Sequence, residues 1–507
     1  MSKKKPNAYQ QLVEKSKTIA GYTSVLNLLH WDQETYMPSG AISPRSDQIS
    51  QISALIHGEI TSPAFKNLLE RLVHMGSGKP KAKHLKKYQH VVLREWHRDH
   101  CRAVKLPSSF IKNFSQVTSE ASQIWAVAKK SNNFKLFAPF LSKIVKLNQE
   151  KANILGFNDH IYDALLENYE PCVTSARVSH IFGGLQKELV ALLAKIKKAK
   201  QIDARFLQKP MKEETQRELA HYFASQMPID PAFSRLDVSS HPFSMALHPH
   251  DSRITTRFVP NLFMSNIFSV LHESGHSMYE MGLPLEHWGT PLCEAASLSV
   301  HESQSRWWET LIGRSLPFWK CYYPILQKKV PHLRSISLDR FYRSINRVAP
   351  SFIRVEADEV TYGLHVILRF EIEKQLISGS LSVSDLPEAW NAKFKELFGL
   401  TPPDDASGCL QDIHWSLGDF GYFPTYALGN LLAVQFFSTF EKKHPDWATR
   451  VQKGDLAFIR EWLRQNIHRW GRTYYTDELI KKVTGKPLSE APYCHYLKTK
   501  YSEIYNL

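Results

Sequence analysis

The run Val270-Leu-His-Glu-Ser-Gly-His-Ser-Met-Tyr-Glu280 holds the residue types and spacing best suited to chemistry. His272 and His276 are four residues apart, so on a helix they stand one above the other on the same face. Two imidazoles so placed can both reach one Zn²⁺ at about 2.0–2.1 Å. Glu273, beside the first of them, is set to reach a metal-activated water rather than the metal. Such a water has a pKa near about 7; a carboxylate can take its proton as it attacks a peptide carbonyl and pass it to the leaving amine. The alternative is a solvent-facing histidine pair on an ordinary helix. Against it stand the apolar stripe Ile267, Phe268, Val270 and Leu271 and the helix-breaking Gly275, which calls for a close-packed neighbour.

The element carrying these residues reads as a helix capped by Ser265 or Asn266 and stopped by Gly282 and Pro284. A catalytic zinc needs a third protein ligand and an open position. A second helix, read over 291–312 with Pro291 at its start and Gly313 at its end, carries Glu294, Glu302 and Glu309. Glu302 and Glu309 share a face, so spacing does not choose between them. His301 is turned about 100° from Glu302 around the helix and cannot bind the same ion with it unless the helix distorts.

Helical periodicity runs through most of the chain, as at 9–29, 139–155, 174–200, 318–330 and 352–377. One stretch breaks it: a β-prone strand at Arg253–Val259 between turns. The expected architecture is mainly α, a large two-lobed helical groove with a small β element near the active site. A division near residue 235 separates a helical wall (1–235) from a catalytic region (236–507) within one continuous body.

The 507 residues carry a formal charge of +15, with basic clusters at Lys79, Lys81, Lys83, Lys86 and Lys87 and at Lys195, Lys197, Lys198 and Lys200. Neither is interleaved with aromatics for base stacking, so both read as solvated helix faces rather than nucleic-acid contacts. Six scattered cysteines without a C-x-x-C pair read as free thiols. No secretory signal and no run of about 18 apolar residues is found, so the expected location is the cytoplasm, away from membranes. Gly485-Lys486 lacks the upstream glycine of a P-loop, and no G-x-S-x-G elbow occurs.

Several short motifs in order resemble the carboxypeptidase Taq family of metallocarboxypeptidases: 29–38 (LHWDQETYMP), His241-Pro-Phe243, Asp251-Ser-Arg-Ile-Thr255, His272–His276, His301-Glu-Ser-Gln304, Ile353-Arg-Val-Glu-Ala-Asp358 and Gly408-Cys-Leu-Gln-Asp-Ile-His-Trp415. Ser299 stands where a glycine is expected and Trp307 where a leucine is, departures that bear on helix packing.

The resemblance implies Glu302 as the third ligand of one zinc per chain, with cobalt a possible substitute. It also implies a fold shared in outline with angiotensin-converting enzyme and oligopeptidase relatives, and a homodimer. The activity implied is removal of single C-terminal residues from peptides with a free C-terminus, with broad preference and poor acceptance of proline. By spacing alone Arg354 pairs with Asp358 four residues on; under the resemblance it grips the terminal carboxylate. The strand at 253–259 is expected to offer backbone pairing to an extended peptide, with Arg253 and Thr255 anchoring that edge. His241 and Gln411 are further expected substrate contacts. His414, Tyr422 and Tyr426 are candidate donors to the oxyanion, with no choice between the two tyrosines. The competing readings are a zinc oligopeptidase or dipeptidyl carboxypeptidase and, from another class, an inactive helical scaffold or nucleic-acid binder.

Overall fold

The computed structural model describes residues 6–81 and 85–507; Lys83 of the first basic cluster lies outside them. Long helices dominate: Ala8–Thr35, Ile42–Thr61, Lys87–Lys105, Ser108–Lys130, Phe134–Leu155 and Ser175–Lys198 precede the midpoint. Phe263–Gly282, Leu298–Arg306, Tyr362–Ser378 and Pro424–Lys443 follow it and carry or back the candidate site. Local chemistry sets many of their ends. Asn7 accepts from the backbone of Gln10, whose side chain accepts in return, and this reciprocal cap starts the first helix. Lys195, Lys197 and Lys198 occupy the last turn of Ser175–Lys198, where cations favour the carbonyl end.

One apolar core runs from Ala121 to Tyr505 and so crosses residue 235. A second, smaller cluster joins Leu12, Phe65, Leu69 and Trp96 of the first helices to Leu292. Arg472 links the same regions by charge: it pairs with Glu95, Asp99 and Glu294, and Glu95 is 1% exposed.

The β element is a three-stranded sheet of β1 (Ser234–Val238), β2 (Ser244–His248) and β3 (Asp251–Thr256), in the order β1-β3-β2. β3 runs parallel to β1 and antiparallel to β2. The strand expected at 253–259 therefore lies in the middle of the sheet, flanked on both sides. It has no free edge for a peptide; only β1 and β2 do.

Three helix boundaries depart from the expected ones. The HExxH helix starts at Phe263 with Leu262 before it and no side-chain cap. Asn266 lies inside the helix and ties it to its surroundings, accepting from Thr256 Oγ1 of β3 at 2.8 Å and donating to the Gln216 carbonyl at 2.8 Å. The segment 291–312 is broken into a 3₁₀ turn at Pro291–Cys293, the helix Leu298–Arg306 and a π-helical turn at Trp307–Ile312. Buried Glu170 accepts from the Ser299 amide and hydroxyl, both at 2.6 Å, and Ser297 caps the helix through Val300, so it starts there. Trp307 packs among Phe437, Phe440 and Trp462. Finally, 352–377 is a 3₁₀ turn at Arg354–Glu356 followed by the helix Tyr362–Ser378. The Asp358 carboxylate causes the break, accepting from the amides of Ala349, Val360 and Thr361.

Candidate active site

The HExxH helix presses so closely on Leu298–Arg306 that a Cβ on Gly275 would stand 2.5 Å from the Gln304 carbonyl oxygen and 2.6 Å from Ser305 Cα. This contact is the neighbour that Gly275 called for, and it brings Glu302 under the two histidines. Glu302 Oε2 lies 3.6 Å from His272 Nε2 and 3.4 Å from His276 Nε2. Four ligands at about 2.0–2.1 Å around a tetrahedral ion stand about 3.4 Å from one another, so these three donors fit one zinc-sized cation. Among the described residues, they form the group of histidine, cysteine and carboxylate side chains close enough to share an ion. Ser305 Oγ donates to Glu302 Oε2 at 2.9 Å and holds the carboxylate in place.

The electrostatics of the cluster are divided. Burial opposes charge on Glu302, but His272 and His276 hold its carboxyl down at about 2. Burial also opposes charge on His272, yet Glu302 and Glu309 push it up to about 9. Burial brings His276 down to about 4. Glu309, which spacing left as the rival third ligand, stands behind His272 instead. Its Oε2 is 2.9 Å from His272 Nδ1, and Arg306 and Arg314 neutralise it from the other side. Glu273 is buried beside the same cluster, and burial raises its carboxyl to about 7.

A cavity of about 640 Å³ opens over this centre, lined by His241, Arg257, Glu273, Glu302, Arg354 and Tyr426 among others. A donor triad of two half-buried histidines and a buried glutamate, a carboxylate poised for proton transfer and an adjoining cleft are together the apparatus of a metal-dependent hydrolase.

The carboxypeptidase Taq (M32) metallopeptidase family matches residues 11–501 of the sequence. The chain belongs to this family. Thermostable carboxypeptidase 1 of Thermus thermophilus is 39% identical over 508 residues, covering 98% of this chain and 99% of that protein. The crystal structure of the M32 carboxypeptidase from Deinococcus radiodurans R1 superposes with a TM-score of 0.94 at 34% identity, covering 99% of this chain and 100% of that one. The structure of Pyrococcus furiosus carboxypeptidase gives a TM-score of 0.93 at 35% identity, covering 98% and 99%. M32 metallocarboxypeptidases are peptide hydrolases, and so is this chain.

The remaining expected M32 site residues divide into those at the cavity and those beneath it. His241 and Arg354 line the wall, but Arg354 does not pair with Asp358. Its Nε and Nη2 donate to Asp412 Oδ1 at 3.1 and 2.8 Å, and its Nη1 to the Tyr362 hydroxyl at 3.2 Å. Asp412 also binds Arg369, at 2.7 Å from its Nε, so two guanidiniums share one carboxylate and the cluster keeps a net positive charge. Gln411 is no substrate contact here: its amide is spent on the loop, accepting from the Arg354 amide at 2.8 Å and donating to the carbonyls of Phe352, Ser407 and Gly408. It positions Arg354.

Thr255 is fully buried and bonded to Ser239 and to the Phe243 amide, so it anchors the sheet and not a peptide. Arg253 pairs with Asp251 and lies over the Trp31 ring, 4.4 Å from its centre, joining two of the sequence motifs. Of the two tyrosines, Tyr426 lines the cavity, while Tyr422 packs edge-on against Tyr169. His414 Nε2 lies 3.4 Å from the Tyr426 hydroxyl, and burial beside Arg354 brings its imidazole down to about 3. Arg306, Glu309, Arg369 and Asp412 escaped the sequence reading in these supporting roles. Asp412 lay within the quoted Gln411-Asp-Ile-His414 run, and Glu309 had been weighed only as a rival ligand.

Proposed function

We propose that this M32 enzyme is a zinc-dependent carboxypeptidase that releases single C-terminal residues from peptides, using His272, His276 and Glu302 as ligands. The convergence of those three donor atoms beside Glu273 carries the reading. Zinc held there supplies a Lewis acid that activates water and polarises the scissile carbonyl. Glu273 takes the proton of the attacking water and delivers it to the leaving amine, a role matched by a carboxyl raised toward neutrality. Tyr426, next to neutral His414, donates to the carbonyl oxygen as it gains charge. The net positive Arg354–Asp412–Arg369 cluster receives the terminal carboxylate through Arg354, and His241 borders the peptide on the facing wall.

One zinc per chain, with cobalt able to replace it, goes with this reading, as do broad preference and poor turnover before proline. A homodimer is part of it too: the helix Ile42–Thr61 buries none of its residues within the chain and is open to a second copy. Six free cysteines suit the reducing cytoplasm.

Timed mass spectrometry of products from mixed peptides tests the proposal, with and without chelator and beside Glu273→Gln. C-terminal ladders that stall before proline, vanish with chelator and fall about 10²–10⁴-fold in rate in the variant are expected. Unchanged cleavage of C-terminally amidated peptides would instead favour an oligopeptidase or dipeptidyl carboxypeptidase. Protein that neither binds zinc nor gains activity from added Zn²⁺ or Co²⁺ would leave only the scaffold.

A further inference from the structure

His301 precedes Glu302 in the chain, yet its ring meets the candidate metal centre from behind. His276 Nδ1 and His301 Nδ1 lie 2.6 Å apart, and His301 Nε2 lies 2.7 Å from Glu280 Oε1. Two bare ring nitrogens at that distance repel and two N–H groups clash, so one must donate and the other accept. His276 Nε2, 3.4 Å from Glu302 Oε2, needs its lone pair free to ligate a cation. The hydrogen of neutral His276 is therefore on Nδ1. His301 Nδ1 is then the acceptor, its own hydrogen is on Nε2, and the Glu280 carboxylate accepts that one. The chain of bonds has a single self-consistent direction.

We infer that His301 and Glu280 are positioning residues of the metal centre, holding His276 in the tautomer and ring orientation that present Nε2 to the ion. This rests on the metal-site reading above. His272 has the simpler version of the same device, a direct Nδ1 contact to Glu309. Among the described residues no carboxylate is within direct reach of the Nδ1 side of His276, and the second imidazole spans the gap to Glu280. The edge-on ring of Tyr279, 5.1 Å from His301, holds that imidazole in plane.

Glu280 also lines a separate cavity of about 190 Å³, walled by the first helix and the Trp288–Glu294 segment. The far end of the relay is thus outside the cleft that holds Glu273 and Arg354. Substitutions there act on the ion and not on peptide contacts.

The test is zinc affinity of the full-length apoprotein, measured by competition with a chromogenic chelator, together with the visible spectrum of the Co²⁺ form. His301→Leu removes the acceptor and is expected to weaken zinc binding about 10–100-fold, the usual effect of losing such an outer partner. His301→Asn can set its Oδ1 where Nδ1 stood and is expected to bind within about threefold of wild type. Glu280→Ala, at the separate cavity, is expected to weaken binding in the same direction should the leucine variant fail to fold. KM at saturating zinc stays at the wild-type value in all three, and the Co²⁺ bands shift in His301→Leu but return in His301→Asn. Equal losses in the leucine and asparagine variants, or wild-type affinity in Glu280→Ala, would overturn the inference. A wild-type protein that binds no zinc would instead remove the metal-site reading itself, and the two failures are distinguishable.

Discussion

Gly275→Ala is the sharpest perturbation of the site that touches neither ligand nor substrate. The new methyl carbon would stand 2.5 Å from the Gln304 carbonyl oxygen and 2.6 Å from Ser305 Cα, where ordinary contact begins at 3.4 Å. Both neighbours are backbone, so no side chain can swing aside, and the two helices must part by roughly 0.8–0.9 Å to reach ordinary contact. Overpacking of this kind costs about 1–3 kcal/mol, of which alanine's better helix propensity returns about 1 kcal/mol. The displaced helix carries Glu302, and ligand distances tolerate only about 0.2 Å of error. Metal binding must then draw the helices together again against the strain. If that strain is about 1–3 kcal/mol, zinc affinity falls about 5–150-fold. Chelator competition on the apoprotein reads this directly. Gly183→Ala is the control, since a Cβ there meets nothing within 4 Å; it gains helix propensity and keeps wild-type zinc affinity. Gly275→Ala protein that bound zinc within about twofold of wild type would refute the close helix contact as what sets Glu302 in place.

Other consequences concern the supports of the site. Burial raises the Glu170 carboxyl to about 7 from 4.5. The folded state holds that proton while the unfolded chain releases it, so stability falls as pH rises from about 4.5 to about 7 and the deficit is constant above. The shift is worth about 3 kcal/mol. Glu170→Gln should therefore gain thermal midpoint relative to wild type across that window, and an offset independent of pH would disprove the assignment. Arg472→Met removes one charged partner of buried Glu95, which keeps Arg94 at 2.6 Å and Arg98 at 3.6 Å, and should cost about 1.5–3 kcal/mol in unfolding measurements, with part regained in the double variant with Glu95→Gln. A single variant no less stable than wild type would disprove that tie. Tyr426→Phe should lower kcat about 10²-fold or more and Tyr422→Phe much less, because only the first is in the cavity wall. Equal effects would place the oxyanion donor elsewhere.

The shared face of His272 and His276, with Glu273 beside it, was legible because helix geometry alone puts residues four apart on one face. Gly275 was legible for a similar reason: a poor helix former inside a helix announces a close neighbour, though not which one. The choice of Glu302 over Glu309 was not legible in spacing and came only through the family resemblance, since both occupy the same face of their own helix and only the packing angle decides which meets the histidines. The break at Asp358 was missed because its carboxylate bonds amides that helical periodicity counts as already satisfied. β3 was read as an edge because strand propensity says nothing of neighbours, and β1 and β2 were not foreseen.

What the sequence by itself determined is everything that depends on spacing along one element: an amphipathic helix with two imidazoles and a carboxylate on it, and a chain rich in such helices. Only the tertiary structure decided what depends on two elements meeting. It set Glu302 3.4–3.6 Å from both histidines, put Glu309 and the His301–Glu280 pair behind them, and gave Arg354 to Asp412. Contacts between segments distant in sequence are fixed by how side chains fill the space between helices, and no local pattern records that fit.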